Sequence, residues 1–99
     1  MKTIIVIPKD INENLNSRLE KKERTIRDKQ TTIFRKKKNQ YQHIQHPGWI
    51  TTEPAMNGIL IATVQSKSEA GDWKLLTAFI GYLDRHFEDK IKSIIIEYE

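Results

Sequence analysis

The feature that most constrains the fold is a long apolar stripe in the C-terminal third of the chain. Its members fall at positions i, i+3, i+4, i+7 and i+11, and they are Leu76, Phe79, Ile80, Leu83 and Phe87. This spacing places five large side chains on one face of an α-helix, and Trp73 and Tyr82 widen that face. We therefore predict a strongly amphipathic helix, with Ser68 or Asp72 as its N-cap and an end at Glu88–Asp89.

Most of the remaining chain reads as short β-strands separated by turn signals. The candidate strands cover residues 3–7, 31–37, 40–45, 49–53, 59–64 and 91–98. Pro47-Gly48 occupies the centre of a type II turn, and Asn57-Gly58 is the commonest hairpin dipeptide. These turns predict an antiparallel meander across residues 31–66.

A second, weaker helix is expected after the first strand. Asp10 followed by Glu13 matches a capping box and predicts that the helix begins there. Four apolar residues then recur at helical spacing, namely Ile11, Leu15, Leu19 and Ile26. The β-branched run Thr31-Thr32-Ile33 predicts its end. A stripe this thin indicates that the helix depends on docking for its stability.

Together these elements predict an α+β fold. We expect an antiparallel or mixed sheet of four to five strands with two helices on one face. The order β-α-β-β(-β)-α-β resembles the ferredoxin-like split βαβ arrangement, and this resemblance concerns element order alone. Ninety-nine residues are enough for one core, so residues 1–99 are expected to form a single domain.

Composition narrows the cellular setting. The chain has no cysteine, which excludes disulfides, thiolate metal sites and cysteine nucleophiles and is typical of a reducing compartment. The one N-terminal apolar run, Ile4 to Ile7, is too short for a signal peptide, and no run approaches the ~20 residues of a membrane span. We therefore expect a soluble, cytoplasmic protein without membrane contact.

Charge is distributed very unevenly. Residues 9–38 hold 11 Lys/Arg against 5 Asp/Glu, a net of 11 − 5 = +6, whereas residues 39–99 hold 5 against 8, a net of −3. Lys2 contributes the remaining +1 of the overall +4. A field of this kind attracts acidic partners and says nothing about the fold.

Cations interleaved with aromatic rings suit nucleic acid, because charge follows phosphates and rings stack on bases. We therefore predict a non-enzymatic binding protein whose basic segment, residues 18–38, contacts nucleic acid through phosphates. The predicted contact residues are Arg18, Lys21, Lys22, Arg24, Arg35, Lys36, Lys37, Lys38, Tyr41 and Trp49. The sheet face opposite the helices would be open to such a ligand.

The same charge supports an alternative from another class. An adaptor, inhibitor or regulatory subunit would use the basic surface to meet an acidic protein. Exposed edge strands also offer a route to a homodimer by sheet extension.

Catalytic and metal signatures are weak. His43 and His46 lie three residues apart, so on a strand their rings would point to opposite faces and could not share a metal. Only a helix or a tight turn would bring them together, and Pro47-Gly48 argues against a helix there. Asp84-Arg85-His86 lacks any accompanying nucleophile, oxyanion donor or glycine-rich loop. We expect no enzyme activity, no cofactor and no metal.

Overall fold

The computed structural model describes residues 1–26 and 32–98, and for Thr25 and Ile26 the backbone alone. Within these residues six strands and two helices follow one another along the chain. They are β1 (Lys2–Pro8), α1 (Leu15–Ile26), β2 (Ile33–Lys37), β3 (Gln40–His43), β4 (Trp49–Pro54), β5 (Leu60–Gln65), α2 (Glu69–Phe87) and β6 (Ile91–Glu97).

All six strands join one sheet in the order β2-β3-β4-β5-β1-β6, and each neighbouring pair runs antiparallel. The prediction of an α+β fold with two helices is confirmed. The predicted count of four to five strands and the ferredoxin-like order are wrong. After α1 the chain enters the far edge of the sheet, and four successive antiparallel strands bring it back beside β1. The polar segments β2 and β3 both form, because each is paired along its length.

Side-chain alternation gives the sheet one buried face and one open face. On β1, Ile4 and Val6 are fully buried, whereas Ile5 and Ile7 point to the other side and stay partly exposed. Each helix covers one half of the buried face. Helix α1 packs on β2 and β4, whereas α2 packs on β5 and β1. No described helix lies on the other side, which we call the open face.

Helix α2 matches its predicted stripe. It begins at Glu69, and the Ser68 hydroxyl accepts a hydrogen bond from the Gly71 amide at 3.0 Å, as an N-cap does. Every predicted stripe member except Ile80 is buried, and Leu75 joins them. Of the helices described, none is long and apolar enough to span a membrane.

Helix α1 begins one turn later than the capping box predicts. The Asp10 carboxylate accepts from the Asn12 amide at 2.9 Å within the preceding loop, whereas the Asn14 side chain accepts from the Ser17 amide at 3.1 Å. Asn14 is therefore the cap, because a short amide side chain satisfies the first free amides of a helix. Ile11 lies outside the helix and is 67% exposed. Of the predicted helix end at Thr31–Ile33, Thr31 lies outside the described residues, as do residues 27–30, and Ile33 is the first residue of β2.

The predicted turn residues adopt the conformations that glycine and asparagine tolerate. Asn57 and Gly58 have φ values of +61° and +76° in the 3-10 turn that joins β4 to β5. Gly48 has a φ of +130°, and a Cβ there would lie 2.5 Å from the Gln65 carbonyl oxygen. Both glycines thus serve close backbone approach.

Candidate nucleic-acid interface

Two aromatic rings and two amide side chains form a line across the open face. Phe34 on β2 lies opposite Gln42 on β3, and Trp49 on β4 lies opposite Gln65 on β5. Gln42 and Trp49 line the same surface depression, so the four residues are continuous. Their neighbours Ile33 and Ile50 are buried on the other face, which explains why alternation sends the two rings outward. We call Phe34, Gln42, Trp49 and Gln65 the aromatic row.

A second line of polar side chains runs beside the aromatic row. Strand pairing places one residue of each strand opposite one on the next strand, so the line crosses all six strands. Its members, in sheet order, are Lys37, Gln40, Thr51, Thr63, Thr3 and Glu97. Two residues along a strand separate the two rows, a distance of about 7 Å. Hydroxyl and amide groups therefore lie next to the rings, and both can hydrogen-bond a sugar, a phosphate or a base edge.

Trp49 borders a depression of about 520 Å³ on this face. Its lining residues are Gln42, Pro47, Gly48, Trp49, Gln65, Ser66 and Lys67. The Trp49 side chain is 41% exposed, which leaves one part of the ring system accessible to a ligand. The volume lies within the range of about 300–1,000 Å³ that is typical of small-molecule sites.

The segment that carries Lys67 is held firmly beside this depression. The Asp72 carboxylate accepts hydrogen bonds from both the amide and the hydroxyl of Ser66 at 2.7 Å. Burial opposes the charge of Asp72. Bonds from the Met1 ammonium, at 2.6 Å, and from Ser66 outweigh that effect and hold the pKa of the carboxyl below its usual value. Lys67 therefore projects from an ordered turn.

Three consecutive lysines end the β2–β3 hairpin at the border of the open face. Lys36, Lys37 and Lys38 are exposed, and we call them the lysine hairpin. The turn is fixed by Asn39, whose φ is +61°. The Asn39 side-chain oxygen accepts a hydrogen bond from the side-chain amide (Nδ2) of Asn16 in α1 at 3.1 Å. The Asn39 backbone carbonyl accepts one from the backbone amide of Thr52 at 2.9 Å. The hairpin is thus tied to both α1 and β4.

The predicted cations of α1 lie on the helix side of the molecule, away from the aromatic row. Arg18 makes two hydrogen bonds to Glu13, at 2.8 and 3.3 Å. Glu20 lies 3.8 Å from both Arg24 and Arg35. Glu13 and Glu20 therefore offset three arginines of the basic segment, and the structure divides the predicted contact residues between two surfaces.

Arg18, Lys21 and Lys22 do share one cleft with the end of α2. The cleft has a volume of about 350 Å³ and is completed by His86, Phe87, Asp89 and Lys90. Burial, followed by the charges of Lys22 and Arg85, lowers the pKa of His86. The histidine is therefore neutral at neutral pH and adds no charge to the cleft.

Tyr41 does not occupy the position that base stacking requires. Its side chain is fully buried on the helix-facing side of β3, whereas a stacking ring must be exposed. Burial, and then the charge of Glu20, raises the pKa of Tyr41, and burial with Glu23 raises the pKa of Tyr82 to about 12. The strand alternation that turns Gln42 outward turns Tyr41 inward.

The two histidines come together, contrary to the sequence expectation. Strand β3 ends at His43, and a tight turn stacks the His46 ring on it with centroids 4.4 Å apart. His43 Nδ1 accepts from the amides of Gln45 and His46 at 3.0 and 3.2 Å. Burial, and then the proximity of His46, lowers the pKa of His43. Both hydrogen bonds need an unprotonated Nδ1 as their acceptor. The neutral His43 ring therefore stabilises the turn.

We expect this turn to make stability depend on pH. The folded-state pKa of His43 lies below the usual histidine value of 6.5, so the unfolded chain binds the proton more readily. The stabilisation is present above about pH 6.5 and is lost as the pH falls through the folded pKa. In His43→Asn the side-chain oxygen can accept the same two amides without titrating.

Urea unfolding of the parent and His43→Asn at about pH 7.5 and 5.5 tests this prediction. The parent should lose more stability between these pH values than the variant, by up to about 1 kcal/mol, the scale of one hydrogen bond. Because His86 titrates in both proteins, the difference isolates His43. Equal losses would contradict the assigned role.

Asp84, Arg85 and His86 follow one another at the end of α2. Asp84 and Arg85 are exposed at the end of α2, and the His86 ring packs edge-on against Tyr82 at 4.7 Å. Over residues 1–26 and 32–98, no group of three or more His, Asp or Glu side chains is arranged to hold a metal ion.

The open face, with its aromatic row and bordering lysines, defines the molecule as a small α+β protein with a candidate binding platform. The chain matches no protein-family model, no curated protein and no solved structure. Sequence reasoning did not point to Gln42, Gln65 or Lys67, which line the depression beside Trp49. Period-two alternation around Ile33 and Ile50 was the signal that could have located the row.

Proposed function

We propose that this protein binds single-stranded nucleic acid without catalysing a reaction on it, and that the strand crosses the open face of the sheet. The observation that supports this most strongly is the aromatic row, which places Phe34 and Trp49 on one uncovered surface. Two inter-strand spacings separate these residues, a distance of about 10 Å. Bases that are free of a duplex can stack on both rings.

Charge at the borders of the platform supports the same proposal. The lysine hairpin lies at the β2 end of the polar line beside the aromatic row, and Lys67 lines the depression that Trp49 borders. In the described part of the chain Lys36, Lys37 and Lys38 form no ion pair. Their ammonium groups are therefore available to phosphates, unlike the paired arginines near α1.

A salt series on labelled single strands tests the proposal. Fluorescence anisotropy of homopolymer DNA and RNA oligonucleotides of about 10 nucleotides is measured as salt rises, with a duplex of the same length for comparison. We expect both single strands to bind, with affinity falling steeply with salt, and the duplex to bind more weakly because its bases cannot reach the rings. The two single-strand arms distinguish RNA from DNA.

We expect the lysine hairpin to account for part of the salt dependence of single-strand binding. Each phosphate contact to a single strand contributes about −0.7 to the slope of log affinity against log salt. Replacing Lys37 and Lys38 by alanine should therefore make the slope shallower by about 1.4. The charge-matched control replaces Lys9 and Lys74, which are exposed and belong neither to the lysine hairpin nor to the aromatic row, and should leave the slope unchanged.

Two results would oppose the proposal. If no single strand binds at low salt, the platform does not serve nucleic acid. If the Lys9/Lys74 control changes the slope as much as the hairpin variant does, the contact is a general effect of net charge. Stoichiometric capture of an acidic protein, with no binding of either single strand, would favour the adaptor alternative.

A further inference from the structure

The two edges of the sheet are built very differently. At one edge, β2 is five residues long, carries a register shift between Arg35 and Lys37, and ends in the lysine hairpin. Lysines and bulges are the devices by which natural sheets prevent pairing with another chain. At the other edge, β6 is seven residues long and has the sequence IKSIIIE. It stays in regular register with β1 from Glu97 to Ser93, and its own register shift falls at Lys92, outside that stretch. Residues 93–97 therefore lack these protections.

Apolar side chains surround the free edge of β6 on both faces of the sheet. On the open face Ile95 is 46% exposed. On the helix side Ile94 and Ile96 pack against the core but stay partly exposed, because α2 lies over β5 and β1 and stops short of β6. An edge strand with unpaired backbone groups and apolar flanks is a template for a further strand.

The sequence of β6 is compatible with itself in one antiparallel register. When Ile95 faces Ile95 of a second copy, Ile94 faces the other Ile96 and Ser93 faces the other Glu97. Lys92 then faces the other Tyr98, whose ring is a favourable neighbour for a cation. No like charges oppose each other in this register. Centring on Ile94 would instead place Lys92 and Glu97 opposite isoleucines.

We infer that β6 pairs with β6 of a second copy about a two-fold axis at Ile95, which gives a homodimer with one continuous twelve-stranded sheet. Because the axis is perpendicular to the sheet, opposed residues share a face, and the helices of both copies lie on the same side. The inference is independent of nucleic-acid binding, since it rests on the edge opposite the lysine hairpin.

Sedimentation of the purified chain tests the pairing. At about 100 µM we expect a mass of twice 11.7 kDa, with dissociation on dilution. Ile95→Lys and Ile95→Glu should each weaken the dimer at least about tenfold, because like charges then oppose each other across the axis. An equimolar mixture of the two variants should dimerise again. Ile11→Lys, at another exposed isoleucine, is the matched control and should leave the mass unchanged.

A cysteine variant keeps the test informative if the charged variants fold poorly. The chain contains no cysteine, so Ile95→Cys introduces a single thiol. Directly opposed residues have Cβ atoms about 4.5–5.5 Å apart, so mild oxidation should give a covalent dimer for Ile95→Cys and none for Ile11→Cys. A parent that stays monomeric at about 100 µM would overturn the inference. So would a dimer that Ile95→Lys leaves intact, or equal cross-linking of the two cysteine variants.

Discussion

Replacing Trp49 by alanine is expected to weaken the binding of single-stranded oligonucleotides by about 5- to 150-fold, the effect of losing one base–aromatic stack. The ring is exposed at the start of β4, so its loss should leave the core intact and the melting temperature nearly unchanged. Trp49→Phe keeps a flat π-face and should retain most of the affinity. Fluorescence anisotropy at several salt concentrations measures the effect.

The salt dependence separates stacking from charge. Because the proposed role of Trp49 is to stack on bases, its removal should lower affinity equally at every salt concentration and preserve the slope. The replacement of Lys37 and Lys38 should instead change the slope. Met56→Ala, at an 81% exposed residue in the β4–β5 turn, is the control for loss of an apolar surface group. If Trp49→Ala binds like the parent, the open face is not the contact surface.

Replacing Gly58 by alanine is expected to lower the free energy of unfolding by about 2–5 kcal/mol. Two causes act together. The φ of +76° lies in the left-handed region, and a Cβ would lie 1.6 Å from the Glu13 carbonyl oxygen, so the backbone must shift. For a chain of this length the melting temperature should fall by at least about 8 °C. Thermal unfolding followed by circular dichroism measures it.

Gly81 is the matched control, because its replacement by alanine is expected to raise the free energy of unfolding. It lies inside α2, and a Cβ there would meet nothing within 4 Å. Gly81→Ala should therefore stabilise the protein by about 0.5–1 kcal/mol, the difference in helix propensity. If both alanine variants destabilised equally, the clash at Gly58 would not be the cause.

Local signals predicted many elements of the fold because their physical cause lies within a few residues. The stripe of α2 was correct, since five large apolar residues at helical spacing have only one way to share a face. Asn57-Gly58 predicted its turn because few dipeptides accept two positive φ values. The start of α1 failed, since Asp10 and Asn14 are both good caps and their local chemistry does not choose between them.

Local sequence signals predicted the arrangement of the candidate site less well than the elements of the fold. Residue type pointed to Trp49, the lysines and Tyr41 alike. The structure exposes Trp49 and the lysines but buries Tyr41, because the sequence does not state which face of a strand meets the core. The histidine pair was misjudged because the expectation assumed that the strand continued past His43. Neither error could be removed without knowing where each strand pairs and ends.

Charge segregation, the amphipathic α2 and the turn positions were determined by the sequence itself, because each depends on neighbours along the chain. Only the tertiary structure decided the strand order, the separation of the α1 cations from the lysine hairpin, and the alignment of Phe34 with Trp49 on an uncovered face. These features depend on pairing between residues far apart in the chain, such as Trp49 with Gln65 and Ile5 with Ile95. A single residue of register change would turn the aromatic row into the core, so pairing, and not composition, creates the surface.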